Sequence, residues 1–177
     1  MIMDASKAQL LVVDVQERLL PAMAEPDLVT GGCAKLVTAA KRLAVPVLVS
    51  EQYPKGLGPT VAALKDAGPV CAKLAFSCAG DAGIVQAIEA QNRKQIVICG
   101  IEAHVCVLQS ALGFKAKGYD VAVVWDAISS RKLADKELAA HRLRSAGISV
   151  VNVEMTIFEW LHAAGTPQFK ELSALIK

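Results

Sequence analysis

No apolar run in this 177-residue sequence approaches the roughly 20 residues that a membrane-spanning helix needs. No basic run exceeds a pair of Lys and Arg, and the formal net charge is only +2. A nucleic-acid-binding stripe and a polybasic membrane anchor are therefore not expected, although a small anionic substrate is compatible with that charge. The five cysteines, Cys33, Cys71, Cys78, Cys99 and Cys106, include no C-x-x-C pair, and the three histidines are not spaced with them as zinc ligands would be. No metal and no cofactor are expected. The opening segment, MIMDASKAQLLVVDVQ, is acidic near its start and has a short apolar core, which argues against a signal peptide. A cytoplasmic protein with reduced thiols is the resulting expectation. Internal repeats, low-complexity tracts and linkers are also missing, so residues 1–177 read as a single domain.

What is present is a 54% hydrophobic, 20% charged chain, a balance suited to a well-buried α/β protein. The mean hydropathy of +0.41 is consistent with some apolar surface being covered by other subunits. Six short apolar runs alternate with helical patterns. Ala8 to Val13 is apolar apart from Gln9, as a central strand buried on both faces would be. Further strands are expected at Val45–Ser50, Pro69–Leu74, Gln95–Ile101, Val121–Trp125 and Ile148–Val153. Helices are expected from about Leu28 to Leu43, Thr60 to Lys65, Asp81 to Gln91, after Cys106, Lys132 to Ser145, Met155 to Ala163 and Gln168 to Ile176. Gly31 and Gly32 lower the helix propensity of the first of these. Strands alternating with helices predict a three-layer, Rossmann-like α/β fold, with a six-stranded parallel sheet covered by helices on both faces.

The stretch Gln95–Asp126 carries the most information. It reads as strand, loop, helix, strand, with Cys106 where strand gives way to helix. Open α/β sheets bind ligands at the C-terminal edge of their strands. A helix N-terminus there favours a thiolate. Asp14, Glu51, Lys73, Glu102, His104 and Asp126 are all expected at or just beyond strand ends, and so on the same edge. An attacking thiol, a carboxylate that takes and returns its proton, and an ammonium group make a workable nucleophile site. Backbone N–H groups of the loop before Cys106 could hold the developing oxyanion. Each residue also has a plainer reading. Cys106 alone could be buried filler, as the other four cysteines are read. Asp14 could cap a helix, Lys73 alone would be a surface residue, and Asp126 could brace the next loop. His104, two residues from Cys106, does not face it on a helical turn. His141 and His162 read as surface or packing residues of amphipathic helices.

Taken together, Asp14 in LLVVDVQ, Lys73 in AKLAFS and Cys106 in GIEAHVCV resemble the isochorismatase-like cysteine hydrolases. EQYPKGLGPTV, GIEAHVCVL, DAISSR and TPQFKELSALIK resemble its isochorismatase domain-containing protein branch. The resemblance implies Cys106 as nucleophile, Asp14 as general base and acid, and Lys73 as the group that keeps Asp14 charged and lowers the Cys106 pKa. It also implies a cis peptide at Ile101–Glu102, with the Glu102 and Cys106 N–H groups forming the oxyanion hole. Gln16, Glu51, Gln52, Tyr53, Phe76 and His104 are the expected substrate-binding residues. The histidines by which the nicotinamidase branch binds zinc are replaced by Glu51-Gln52-Tyr53, and the loop from Gly100 to Cys106 is shorter than in true isochorismatases, with Glu102 in place of Tyr. The expected activity is thus metal-independent hydrolysis of a small amide- or imide-type C–N bond through a Cys106 thioester. Alternatives are vinyl-ether hydrolysis of the isochorismatase type, or an oligomeric scaffold or binding module without turnover. A homo-oligomer is expected, with EWLH and PQFKELSALIK as interface segments.

Overall fold

The computed structural model describes residues 1–176. Six strands form one sheet: β1 (Ala8–Val13), β2 (Val47–Gln52), β3 (Val70–Lys73), β4 (Gln95–Ile101), β5 (Asp120–Ser129) and β6 (Ser149–Val151). All pairs are parallel, in the order β3-β2-β1-β4-β5-β6. The three-layer α/β expectation holds. The period of two along β1 shows how both faces are filled. Leu10 and Val12 join a core that includes Val29 and Leu36 of α1 (Pro26–Arg42) and Ile157 and Trp160 of α6 (Val153–Leu161). Leu11 and Val13 join the opposite core, with Ile84 of α3 (Ala82–Ala90), Phe114 of α4 (Leu108–Ala116) and Leu143 of α5 (Leu133–Ser145). Each such side chain contributes roughly 1.5–3 kcal/mol by leaving water. At the sheet edge, β3 leaves Val70 half exposed. A four-residue helix, α2 (Pro54–Leu57), follows β2, and α7 (Pro167–Ser173) follows α6.

Two glycines allow backbones to meet. An added Cβ at Gly32 would lie 2.7 Å from the Asp126 carbonyl oxygen, so α1 packs on β5 with no side chain between them. That contact offsets the helix-propensity cost of the glycine. Gly100 has φ +112°, and a Cβ there would lie 2.0 Å from the Val13 carbonyl oxygen. It lets the end of β4 run tightly against the end of β1, beside Asp14.

Several boundaries differ from expectation, and one difference bears on the site. β5 extends to Ser129 instead of ending at Trp125. The cause is an irregularity: Ile98 pairs with Val123, yet Gly100 pairs with Ile128. Asp126 lies inside that irregular stretch, and its Oδ1 accepts a hydrogen bond from Val153 N at 2.8 Å, at the start of α6. Asp126 therefore braces a helix and does not stand beyond the strand end. β2 likewise runs two residues further than expected, so Glu51 and Gln52 are strand residues.

Replacing Gly100 by Ala should destabilise the protein by about 3 kcal/mol or more, through overpacking against Val13 and a left-handed φ. Urea denaturation of the Gly100→Ala variant checks this.

Candidate active site

The strand order reverses between β1 and β4, where doubly wound sheets open a crevice at their C-terminal edge. Asp14 immediately follows β1. It adopts φ +53°, a left-handed conformation that Asp tolerates better than most residues. Its N–H donates to Ser50 O at 3.0 Å, and its own carbonyl accepts from Gln16 N at 2.8 Å. The turn aims the carboxyl group back across the ends of β2 and β3. There Ser50 Oγ donates to Oδ1 at 2.7 Å and Lys73 Nζ donates to Oδ2 at 2.7 Å. Both ion-pair side chains are completely shielded from water.

Lys73 is therefore not a surface residue. Its ammonium also donates to Gln52 Oε1 at 2.7 Å and to Phe76 O at 3.1 Å, which uses all its N–H donors. Burial works against its charge, but the Asp14 charge beside it, with Cys78 and Cys106 nearby, outweighs that and raises its pKa. The ammonium stays protonated.

Cys106 lies in a π-helical turn, Ala103–Val107, ahead of α4. The wide turn is closed by Val107 N donating to Glu102 O at 3.2 Å, with Val105 N donating to the same oxygen at 3.1 Å. The Ile101–Glu102 peptide bond leading into it is cis. The thiol is nearly buried, at 5% exposure. Burial, and next the Asp14 charge, push its pKa up to about 12, and the opposing pull of Lys73 is too weak to reverse this. The expectation of a lowered thiol pKa is thus overturned. The charge of Lys73 is neutralised by Asp14, so the thiol meets a paired ion and a dry environment. At rest the Cys106 side chain is a thiol beside the Asp14–Lys73 pair.

The remaining expected site residues divide into two groups. Gln16, Glu51 and Gln52 are engaged within the chain. Gln16 Nε2 donates to Gln52 O and Gly58 O, while its Oε1 accepts from Gln52 N. Glu51 Oε1 accepts from Thr60 N and Oγ1. Gln52 Nε2 donates to Leu74 O. These residues brace the loops that hold Lys73. Tyr53 and Phe76 are exposed and tied to Lys73 by backbone, since Tyr53 N donates to Lys73 O. His104 Nδ1 lies 2.9 Å from Ser130 Oγ, and its Nε2 lies 4.0 Å from Asp135 Oδ2. Glu102 Oε2 accepts from Arg131 Nε at 2.9 Å.

Sequence reasoning missed four participants. Ser50 fixes Asp14, and its register pairing with Val13 places it there. Cys78, read as filler, donates to Ser50 Oγ at 3.5 Å and contributes to the field at Cys106. Ser130 and Arg131 hold the nucleophile turn from β5; only the DAISSR motif pointed to them. Among the described residues, no three His, Cys, Asp or Glu side chains are placed to hold a metal ion.

Comparison with known proteins gives the family and the fold. The isochorismatase domain matches residues 8–155. The chain belongs to the isochorismatase family. Isochorismatase domain-containing proteins of Mus musculus and Xenopus laevis are both 36% identical to it. The secreted isochorismatase effector Isc1 of Phytophthora sojae is 41% identical over 95% of this chain and 83% of its own length. The structure described as MAR1 ribonuclease from Caenorhabditis elegans superposes with a TM-score of 0.92 and 34% identity, covering 99% of this chain and 92% of that one. The Escherichia coli ycaC gene product, described as an octameric hydrolase of unknown specificity, superposes with a TM-score of 0.93 and 26% identity, covering 99% and 90%. In the structure Asp14 follows β1, Lys73 ends β3 and Cys106 lies in the turn after β4.

Two outcomes follow from the burial of the site. Lys73→Ala strands the Asp14 carboxylate without its partner and should cost about 3–5 kcal/mol in urea unfolding, with the Asp14→Ala/Lys73→Ala double variant losing less than the sum of the single losses. Alkylation of Cys106 in the folded protein should keep accelerating as pH rises from 7 to 10, because a thiol pushed up to about 12 stays protonated over that range. A rate that levels off below pH 8.5 would contradict a raised pKa.

Proposed function

We propose that this isochorismatase-family protein is a metal-independent cysteine hydrolase that cleaves an amide- or imide-type C–N bond of a small molecule through a Cys106 thioester. The observation that carries this reading is the Asp14–Lys73 pair, fully buried, with both groups close enough to act on the Cys106 thiol. In the first half-reaction, Cys106 Sγ attacks the carbonyl carbon while its proton passes to Asp14. Lys73 holds the Asp14 carboxyl group in place by its ion pair, and the Glu102 and Cys106 N–H groups receive the oxyanion. Collapse breaks the C–N bond, and Asp14 returns the proton to the departing nitrogen. In the second half-reaction Asp14 takes a proton from water, the resulting nucleophile opens the thioester, and the acid and free thiol are released. A high thiol pKa suits this cycle, since the proton needed by the leaving nitrogen is the one the thiol gave up.

The setting we propose is a cytoplasmic homo-oligomer. The five cysteines are all free, although the Phytophthora relative is named a secreted effector. Assembly is supported by the octameric description of the E. coli structure and by exposed Met155 and Phe158 on α6. The Caenorhabditis structure is described as a ribonuclease. A net charge of +2 and a thiol only 5% exposed favour a small molecule over an RNA strand.

A screen of small amides and imides with a product-release assay, run with wild type and Cys106→Ala, tests the reading. Activity in wild type with a loss of at least about a thousandfold in Cys106→Ala is expected. A Cys106→Ala variant that hydrolyses the same substrate as fast as wild type overturns the covalent mechanism. Pyruvate release from isochorismate that survives this substitution would favour vinyl-ether hydrolysis.

A further inference from the structure

We infer that Arg131 is a specificity-determining residue that brings a carboxylate-bearing substrate to Cys106; the inference rests on the cysteine-nucleophile reading above. The starting observation is a guanidinium held along one edge only. Glu102 Oε2 accepts from Arg131 Nε at 2.9 Å and, more distantly, from Arg131 N at 3.4 Å. A guanidinium presents its N–H donors as a rigid planar fork. Here Nε is committed to Glu102, while neither terminal nitrogen has a partner among the described residues. The pair is also unevenly buried: the Glu102 side chain is 11% exposed and the Arg131 side chain 60%. A sunken carboxylate fixes the guanidinium through Nε and leaves its two-pronged end without a hydrogen-bond partner among the described residues, with Asp135 the other carboxylate near it. That end matches a carboxylate in bidentate geometry.

Position makes this relevant to the reaction. Ser129 pairs with Ile101 in the β4–β5 register, so Arg131 leaves the C-terminal edge of β5 directly beside the turn that bears Cys106. The Ser130–His104 contact ties the same two segments together. Lys73 cannot take this role, because its donors are used and it is 2% exposed. Glu102 offsets the Arg131 charge, so selection would come from the direction of the free N–H groups more than from net charge. The substrate class is accordingly a small amide or imide that also carries a carboxylate.

The full-length protein and two alkylating probes test this without knowledge of the substrate. Iodoacetate and iodoacetamide react alike: a C–S bond forms at Cys106, the thiol proton leaves to a base, and the C–I bond breaks to release iodide. Only the first reagent carries a carboxylate. The iodoacetate-to-iodoacetamide rate ratio at Cys106, read by mass spectrometry and normalised to the urea-unfolded chain, is expected to exceed unity in wild type. In Arg131→Gln it should fall by about threefold to tenfold, the modest size reflecting solvent screening of an exposed guanidinium. Arg131→Lys, which keeps the charge and loses the fork, should give an intermediate ratio. Lys132→Gln, which removes the neighbouring charge, should leave the ratio unchanged. Circular dichroism confirms that each variant is folded, and Arg131→Lys serves if Arg131→Gln is not. Equal ratios in wild type and the folded Arg131 variants overturn the carboxylate inference alone. A folded wild type whose Cys106 resists both reagents throughout pH 7 to 10, where the unfolded chain is alkylated, overturns the nucleophile reading, and this inference with it.

Discussion

At the C-terminal edge of the sheet an ammonium group and a carboxylate sit 2.7 Å apart, both fully out of water. Desolvating two ions costs several kcal/mol each, so such a pair persists only where further hydrogen bonds satisfy both partners. Here they do. Lys73 spends its remaining donors on Gln52 and the Phe76 carbonyl, and Asp14 takes the Ser50 hydroxyl on its other oxygen. Around the pair the loops are locked in turn. Gln16 bonds the ends of β1 and β2 together, Gln52 reaches Leu74, and Glu51 holds Thr60. Much of the polar structure at this edge exists to keep one ion pair dry and fixed.

That constraint also decides the state of the thiol. A lysine next to a cysteine would ordinarily draw out its proton. A lysine already neutralised by an aspartate, in a site that excludes water, does not, and burial then dominates. The Cys106 side chain is accordingly a thiol and not a preformed thiolate. A wide π-helical turn and the close approach of Gly100 to Val13 bring the thiol from the end of β4 toward the carboxylate at the end of β1. The same turn is held from its far side by Ser130 and Arg131. The Cys106 turn thus sits between the buried Asp14–Lys73 pair and a clamp contributed by the end of β5.

Much of the fold could be read directly. β1 is apolar but for Gln9 because it is buried on both faces, and it pairs residue for residue with Gln95–Gly100 of β4. Asp81 opens the expected helix and caps it, its side chain accepting from Ile84 N. Asp14, Lys73 and Cys106 were recognisable as a set at three strand ends. The β5 boundary was not legible, since the irregularity opposite Gly100 arises from pairing with β4 and leaves no local pattern. Ser50 and Cys78 were equally silent, because a small polar side chain acquires a role only from the neighbour it meets across the sheet.

The sequence alone determined the alternation of strands and helices, the two-faced burial of the central strands, and which residue types stand at the strand ends. These follow from hydrophobic periodicity and from the turn chemistry that interrupts it, both of which are local. Tertiary structure decided the rest. Strand order set the switch point between β1 and β4, register brought Ser50 to Asp14, and burial raised the thiol pKa where proximity to a lysine alone would have lowered it. Electrostatics and desolvation depend on what surrounds a group in three dimensions, and no spacing along a chain encodes that directly.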